Sequence, residues 1–509
     1  DVESITVLKG PAAAALYGSR AANGALVITT KSGKSGKMAL NYTGGVSVDQ
    51  PYLLMKFQDT YGRGNGGVYG AEAGESWGAP ATTYKDNVRK FYNTGVSLNN
   101  SVNISGGTDK VKGYASYTHN MNNGIVPENR LDRNTLNLRL NAEVLPGLTT
   151  DVKITYLNQT IRNKPRLGDN GVTNEALIMP RDMHPDSLKN FETLDPTGQP
   201  VPRYWTTSSA FQNPYWDVHR TALNEERNRI TLMGLAKYQL TDWLSIQGRY
   251  SLDKYDDKIT GSYFFGTIPV PTLTGGRYQE AYVYRWERNM DVLVSGHNKL
   301  NSDLGINYNL GAAVLRNRGY NAQSFANGLS IPNQFNLNFA ATPAFSNLTV
   351  EKEIQSVYGN AQLDFRQQLF LDVSARNDWS STLPAPHSYF YPSVGVSAVL
   401  SDILDLPDWI SFGKLRAAYT QVGNDADPYL LIQTYSYSPG AGNGFVARDQ
   451  IKYISDLKPE KTESWEAGLE WRFLDGRLGL DVTGYKSNTY NQLIFIGLPQ
   501  PSGYNQQYI

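Results

Sequence analysis

The amino-acid sequence predicts an all-β protein, an antiparallel transmembrane β-barrel built as a meander. Three observations carry that prediction. Apolar and polar residues alternate strictly in many stretches, and short turns alternate with long connections along the chain. Several of the alternating runs also reach about 12–15 residues, where a globular strand usually has about 5–6.

The alternation is clearest in "LNLRLNAEV", where Leu136, Leu138, Leu140, Ala142 and Val144 share one face and Asn137, Arg139, Asn141 and Glu143 the other. "LTTDVKITY" sets Leu148, Val152, Ile154 and Tyr156 against Asp151 and Lys153, and "RLGLDVTGY" sets Leu478, Leu480 and Val482 against Asp481 and Thr483. One face suits hydrocarbon and the other water. A sandwich strand with one face in a core gives the same pattern.

Connection lengths favour the barrel. Short turns are expected at 106–110, 146–147, 241–242, 366–368 and 475–476, and long connections near 50–94, 162–226, 257–276, 317–347 and 424–462. A meander with all its short turns at one end and all its long loops at the other produces this asymmetry, as outer-membrane barrels do. Tyr156, Tyr238, Trp243, Trp471 and Tyr485 fall near strand ends, where an amphipathic ring sits at headgroup level. Cross-strand pairing in any sheet would place them there equally well. About fifteen strands are expected before the chain stops, and a barrel ending at Ile509 would be open, leaving edge N–H and C=O groups unpaired in lipid.

Composition is permissive. The 509 residues carry 47 Lys+Arg and 47 Asp+Glu, so nothing steers the chain toward nucleic acid. Cysteine is absent, which excludes disulfide frameworks and thiolate metal sites. Mean hydropathy is −0.44. No run approaches the roughly 18 apolar residues of a membrane helix, but a transmembrane strand needs only about 9–11 residues, half of them polar. Tyr 33, Trp 9 and Gly 47 are high, as in a large barrel or a soluble carbohydrate-binding β protein. Asp1-Val2-Glu3 lacks the basic start and apolar stretch of a signal peptide, so either such a peptide has been removed or the chain starts inside the protein, and the opening stretch favours the second.

The opening is different from the rest. "SITVLKG" (4–10) reads as a strand ended by a Gly-Pro break, "AAAALYG" (12–18) as a short helical piece, Asn23-Gly24 as a turn and Ala25–Thr30 as a returning strand. An α+β unit of about thirty residues is too small to fold alone. The predicted organisation is therefore 1–37, the end of a domain, followed by 38–509, the barrel.

The stretch "VESITVLKGPAAAALYGSRAANGALVITTKSGK" resembles the C-terminal end of the plug of TonB-dependent outer-membrane receptors. Its "LYGSRAANGALVITTK" form is similar to the SusC/RagA-like branch of Bacteroidota. "NPYW" (Asn213–Trp216), "RNDWSSTLP" (Arg376–Pro384), "YPSVGVSAVLSD" (Tyr391–Asp402), "KLRAAYTQVGND" (Lys414–Asp425) and the stretch Leu457–Leu493 resemble barrel segments of that branch in the expected order. The resemblance implies a barrel of about 22 strands, of which this chain would hold about two-thirds. It also implies a plug with an upstream TonB box, absent here, a SusD-like surface lipoprotein as lid, and often a dimer of such pairs. The implied function is TonB-dependent import of an oligosaccharide or peptide across the bacterial outer membrane. A plugged scaffold or secretion barrel is the alternative.

The chain offers little covalent chemistry, and the expectation is that it is not an enzyme and holds no cofactor or metal. "GRGNGG" has its glycines at Gly62, Gly64 and Gly67, but no βαβ unit surrounds it, so an outer loop is expected there rather than a dinucleotide site. "KSGKSGK" (31–37) reads as a solvated link. His119, His184, His219, His297 and His387 show no ligand spacing. Candidate ligand contacts are Tyr204, Trp205, Tyr215 and Trp216, aromatic platforms for sugar rings or peptide side chains, for which loop packing is the competing reading. Arg376, Asn377, Asp378 and Trp379 close a strand near the outer rim, where bracing of a loop competes with ligand contact.

Overall fold

The protein is described from a computed structural model covering residues 2–8, 18–22, 24–70, 74–168, 171–206, 211–268, 275–438 and 444–509. Residues 12–17 of the helical piece expected over 12–18, and Asn23 of the expected turn, lie outside the described residues. What is described of the opening is a hairpin, β1 (Val2–Leu8) paired with β2 (Ala25–Thr30) so that Ile5 stands opposite Ile28.

The rest is dominated by one antiparallel sheet of 15 strands in strictly sequential order. Its first members are β3 (Gly36–Asp49), β4 (Gly95–Gly107), β5 (Val111–Asn123), β6 (Arg130–Leu145) and β7 (Leu148–Arg162). There follow β8 (Thr221–Thr241), β9 (Leu244–Tyr263), β10 (Arg277–Lys299), β11 (Leu304–Leu329) and β12 (Ala340–Phe365). The sheet ends with β13 (Leu369–Ser380), β14 (Ser388–Val399), β15 (Ile410–Asn424), β16 (Glu460–Phe473) and β17 (Leu478–Tyr490). Its two edge strands, β3 and β17, are not paired with each other and are exposed throughout.

The period-two residues sort as the sequence predicts. Leu136, Leu138 and Leu140 are each more than 40% exposed on the outer face, while Arg139 points to the opposite face and binds Asp151 at 2.7 Å. Met290, Val292, Leu310, Val357, Val373 and Val394 continue the exposed apolar face across the middle of the sheet. The inner face carries ion pairs such as Arg249–Asp291 (2.7 Å) and Arg227–Asp257 (2.6 Å). Apolar side chains turned outward and charges turned inward invert a soluble protein and fit a wall between lipid and a wet lumen.

At one end every connection is short: 108–110, 146–147, 242–243, 300–303, 366–368, 400–409 and 474–477. At the other lie 50–94, 163–220, 264–276 and 425–459, with shorter links at 124–129, 330–339 and 381–387. The long connection expected at 317–347 is instead mostly strand. β11 and β12, 26 residues each, stay paired almost to their tips, with Tyr320 opposite Thr349 and Arg318–Glu351 at 3.1 Å. Beyond the hydrocarbon both faces turn polar, which erased the alternation without ending the ladder. The same holds for residues 221–226 and 257–263, which belong to β8 and β9.

Tyr238, Trp243 and Trp471 sit exposed or half-buried at the short-turn end, where Trp409 stacks on Phe473 at 5.7 Å, an aromatic belt at the interface. Tyr485 does not belong to it. It stands opposite Glu466, and alternation puts it on the inner face with Asp481 and Thr483. "GRGNGG" forms a small hairpin, Gly64–Asn65 against Val68–Tyr69, whose turn needs the positive φ of Gly66 (60°) and Gly67 (81°). The link 31–35 is not wholly solvated. Gly33 is buried, and a Cβ there would stand 2.5 Å from the backbone N of Gly113, so two backbones touch.

Candidate functional site

Two regions gather the residues that the sequence puts forward. The first is a cap built from the long loops above the wall. Pro214 occupies the first turn of a short helix, α1 (Pro214–Arg220), and Asn213 caps it by accepting from the Tyr215 N–H at 2.9 Å. The cap turns Trp216 inward. It is fully buried, and its indole N–H donates to Thr267 Oγ1 at 2.9 Å. Trp205 and Tyr215 join Val88, Phe91, Val172 and Met179 in one apolar core, with Trp205 stacked on Phe211 at 6.0 Å and Tyr215 edge-on to Phe91 at 5.3 Å. Three of the four predicted platforms thus fill the cap interior. Tyr204 alone is exposed, its hydroxyl donating to the Gly266 carbonyl.

The cap is stitched by buried arginines. Arg181 donates to the carbonyls of Gln58 (3.2 Å) and Lys85 (3.1 Å) and pairs with Asp59 (3.1 Å), joining 163–220 to 50–94. Arg166 binds Asp217, lies 3.7 Å from Glu175 and donates to the Ile268 carbonyl at 2.9 Å. One guanidinium therefore faces two buried carboxylates. Burial, reinforced by the Asp217 charge and opposed by Arg166, pushes the Glu175 carboxyl up to about 9. Burial also pushes Asp217 up, against the pull of Arg166. The trio holds one proton more than three ordinary groups would at neutral pH.

The second region lies on the inner face where residues 18–22 dock. Gly18 has φ +78°, and a Cβ there would stand 3.2 Å from the Arg376 guanidinium. Arg20 makes a two-pronged pair with Glu287, both N–O distances 2.9 Å. Arg139 donates to the Thr30 carbonyl at 2.7 Å. Under this turn a small polar cavity of about 190 Å³ is lined by Arg249, Asp291, Ser356, Tyr358, Arg376 and Asp378. Arg376 binds Asp378 at 2.8 Å and Ser356 at 2.8 Å, and the Tyr391 hydroxyl donates to Asp378 at 2.6 Å. Ala21 packs with Leu383, Tyr389 and Val422, a second apolar cluster beside the polar one.

The "RNDW" segment is split by its own strand geometry. Arg376 and Asp378 face inward and are buried; Asn377 and Trp379 share the outer face of β13 with Val373, and Trp379 is 40% exposed. The inner region also contains Arg20, Arg249, Glu287 and Asp291, which sequence reasoning missed. Their signal was present, since Asp291 interrupts the apolar run "NMDVLV", an expensive choice on any face but a wet one. The arrangement offers fixed donors and acceptors, a docking geometry.

Residues 181–509 match the family described as "TonB dependent receptor-like, beta-barrel". The chain belongs to this family of outer-membrane barrels. TonB-dependent receptor SusC of Bacteroides thetaiotaomicron is 25% identical over 554 residues, covering 100% of this chain and 52% of that protein. TonB-dependent receptor P3 of Formosa agariphila is 24% identical over 532 residues and 51% of its own length. The chain thus spans about half the length of these curated relatives. Among solved structures, the RagAB peptide importer in its closed-closed state superposes with a TM-score of 0.80 at 18% identity, over 100% of this chain and 61% of that one. The ferripyoverdine receptor of Pseudomonas aeruginosa gives 0.57 at 14%, over 56% of its chain. The fold is therefore that of the TonB-dependent barrel, of the SusC and RagA kind.

Proposed function

We propose that the chain forms the greater part of an outer-membrane importer. In this reading residues 1–37 are the end of the plug and 38–509 the wall of its barrel. The observation that carries it is the seat of residues 18–22 on the inner face, held by the two-pronged Arg20–Glu287 pair against a polar lumen wall. A wide barrel would leak unless plugged, and a plug tied, among the described residues, by ion pairs and a few apolar contacts rather than by strand pairing can be withdrawn. TonB would supply the pull through a segment upstream, and a SusD-like lipoprotein would close the outer end. The cargo class is oligosaccharide or peptide; the structural neighbour RagAB is a peptide importer. Of the residues put forward as ligand contacts, Tyr204 on the cap surface and Arg376 and Asp378 on the lumen wall stand where cargo would pass. Trp205, Tyr215 and Trp216 shape the cap behind it, and Asn377 and Trp379 face outward.

The test is to lock the plug in the full-length protein. Arg20→Cys with Glu287→Cys, bridged by a short bis-methanethiosulfonate that forms a disulfide at each thiol and releases methanesulfinate, is expected to stop uptake of labelled oligosaccharide or peptide by cells, and reductive release to restore it. Undiminished uptake with the bridge in place would refute passage through this lumen. A barrel that serves as a scaffold or secretion component would show no uptake in either state.

A further inference from the structure

The outer face of the wall carries a charged cluster that the importer reading does not use. The register sets it out in cross-strand rows. Lys254, Trp286, Arg318 and Glu351 form one row across β9 to β12, and Leu252, Arg288, Arg316 and Glu353 the row beneath. The next row down is Tyr250, Met290, Val314 and Gln355, and the one after that Gly248, Val292, Ala312 and Val357. Met290, Val292 and Val357 are about half exposed, as befits hydrocarbon contact. The step from Met290 to Arg288 and from Val314 to Arg316 therefore marks the level where hydrocarbon gives way to headgroups. It faces the long-loop end, the outer leaflet.

Charge at this boundary is out of balance. Arg316 pairs with Glu353 at 2.6 Å and Arg318 with Glu351 at 3.1 Å. Arg288 stands directly opposite Arg316, is exposed, and among the described residues has no ion pair. Its guanidinium lies over the Trp286 ring at 4.3 Å. Lys254 also lacks a carboxylate partner among the described residues, its ammonium resting 5.1 Å from the Tyr284 ring centre. Asp256, the next acidic group on β9, stands one row further out, opposite Tyr284. Within these two rows four cations thus meet two carboxylates, with Asp256 one row above them. Beside them a groove of about 600 Å³ is lined by Trp286, Arg316, Arg318, Glu351 and Tyr429.

Placing two like charges opposite each other in a ladder is unfavourable unless something anionic sits between them. Arginine forks match phosphate oxygens in pairs, and an indole stacked on a guanidinium holds the fork in place at headgroup level. We infer that this cluster is a binding site for the phosphate-bearing headgroup of an outer-leaflet glycolipid. Arg288, Arg318 and Lys254 would hold the phosphate and Trp286 the first sugar, while the acyl chains run down over Met290, Val292 and Val357. The wall would carry its own annular lipid at one fixed point, independent of whatever cargo passes inside.

Native mass spectrometry of the full-length protein, reloaded in detergent with phosphorylated lipid A, tests this. The wild type should retain lipid through activation that strips phosphatidylethanolamine. The dephosphorylated form should be retained at least fivefold less. Arg288→Gln with Lys254→Gln should abolish the difference between the two lipid A forms, while the variant still runs as a folded barrel on an unheated gel. Equal retention of both forms by the wild type would overturn the proposal, as would unchanged discrimination in the double variant. Displacement of the lipid by millimolar inorganic phosphate, or a variant that loses only a protein partner, would also overturn it.

Discussion

Val292 in the wall is half exposed and Trp216 in the cap fully buried, yet each apolar side chain sits in the solvent that suits it. The wall is a single sheet with its apolar surface turned out to lipid and its charges turned in, held by an unbroken run of backbone ladders. The cap is an ordinary globular core, Val88, Phe91, Val172, Trp205 and Tyr215 closed over one another, with arginines buried at its seams. Backbone pairing tolerates almost any side chain that respects the two faces. A packed core tolerates few. Substitutions should therefore behave differently in the two regions.

The largest effects belong to the cap. Trp216→Ala removes a fully buried ring and should cost about 3–5 kcal/mol, seen as loss of hydrogen-exchange protection across 163–220 while the strands keep theirs. Loss of protection in the strands as well would mean that cap and wall fold as one unit. Arg166→Met strands Glu175 and Asp217 without their cation; breaking a buried pair in this way costs about 3–5 kcal/mol, and limited proteolysis of the same segment reads it.

In the wall, Val292→Arg should cost about 2–4 kcal/mol, and less if the site lies nearer the interface than the bilayer midplane. The same change in a soluble sheet edge would be mild, so thermal unfolding in lipid against detergent sharpens the contrast. A pH effect should be confined to the cap. Glu175 holds its proton to about 9, so its contribution is complete in acid and is lost as pH rises from the ordinary carboxylate range toward 9. Proteolytic release of 163–220 should increase between pH 6 and 9, and Glu175→Gln should flatten that profile. A steeper profile in the variant would assign the proton elsewhere. The smallest effect is expected for Glu351→Gln. Its pair with Arg318 is exposed, and its loss should cost about 0–1 kcal/mol.

The same contrast explains what could be read from the sequence. Leu136, Leu138 and Leu140 announce their strand because a period of two is a local property, and the turns at 146–147 and 366–368 follow from where it stops. The ladder between β11 and β12 was lost beyond Arg316, since with water on both sides no face needs to be apolar. The cap was opaque for another reason. Phe91, Val172, Trp205 and Tyr215 come from loops far apart in the chain, and nothing near Trp216 in sequence says that Thr267 will receive its N–H. "RNDW" was legible as a unit but not as two faces, and its split follows only once β13 is known to include all four residues.

β11 and β12 have a mechanical consequence. At about 3.4 Å per residue a 26-residue strand is about 88 Å long, and tilted by about 45° it still rises some 60 Å, twice the hydrocarbon thickness of about 30 Å. About half of each stave therefore stands above the lipid, and it does so in company: β10 stays paired to β11 as far as Asn327 and β9 to β10 as far as Tyr263, a stiff extension of the wall. The rim of the vestibule therefore stands about 30 Å above the hydrocarbon, so a molecule diffusing outside meets the mouth before it meets the acyl chains.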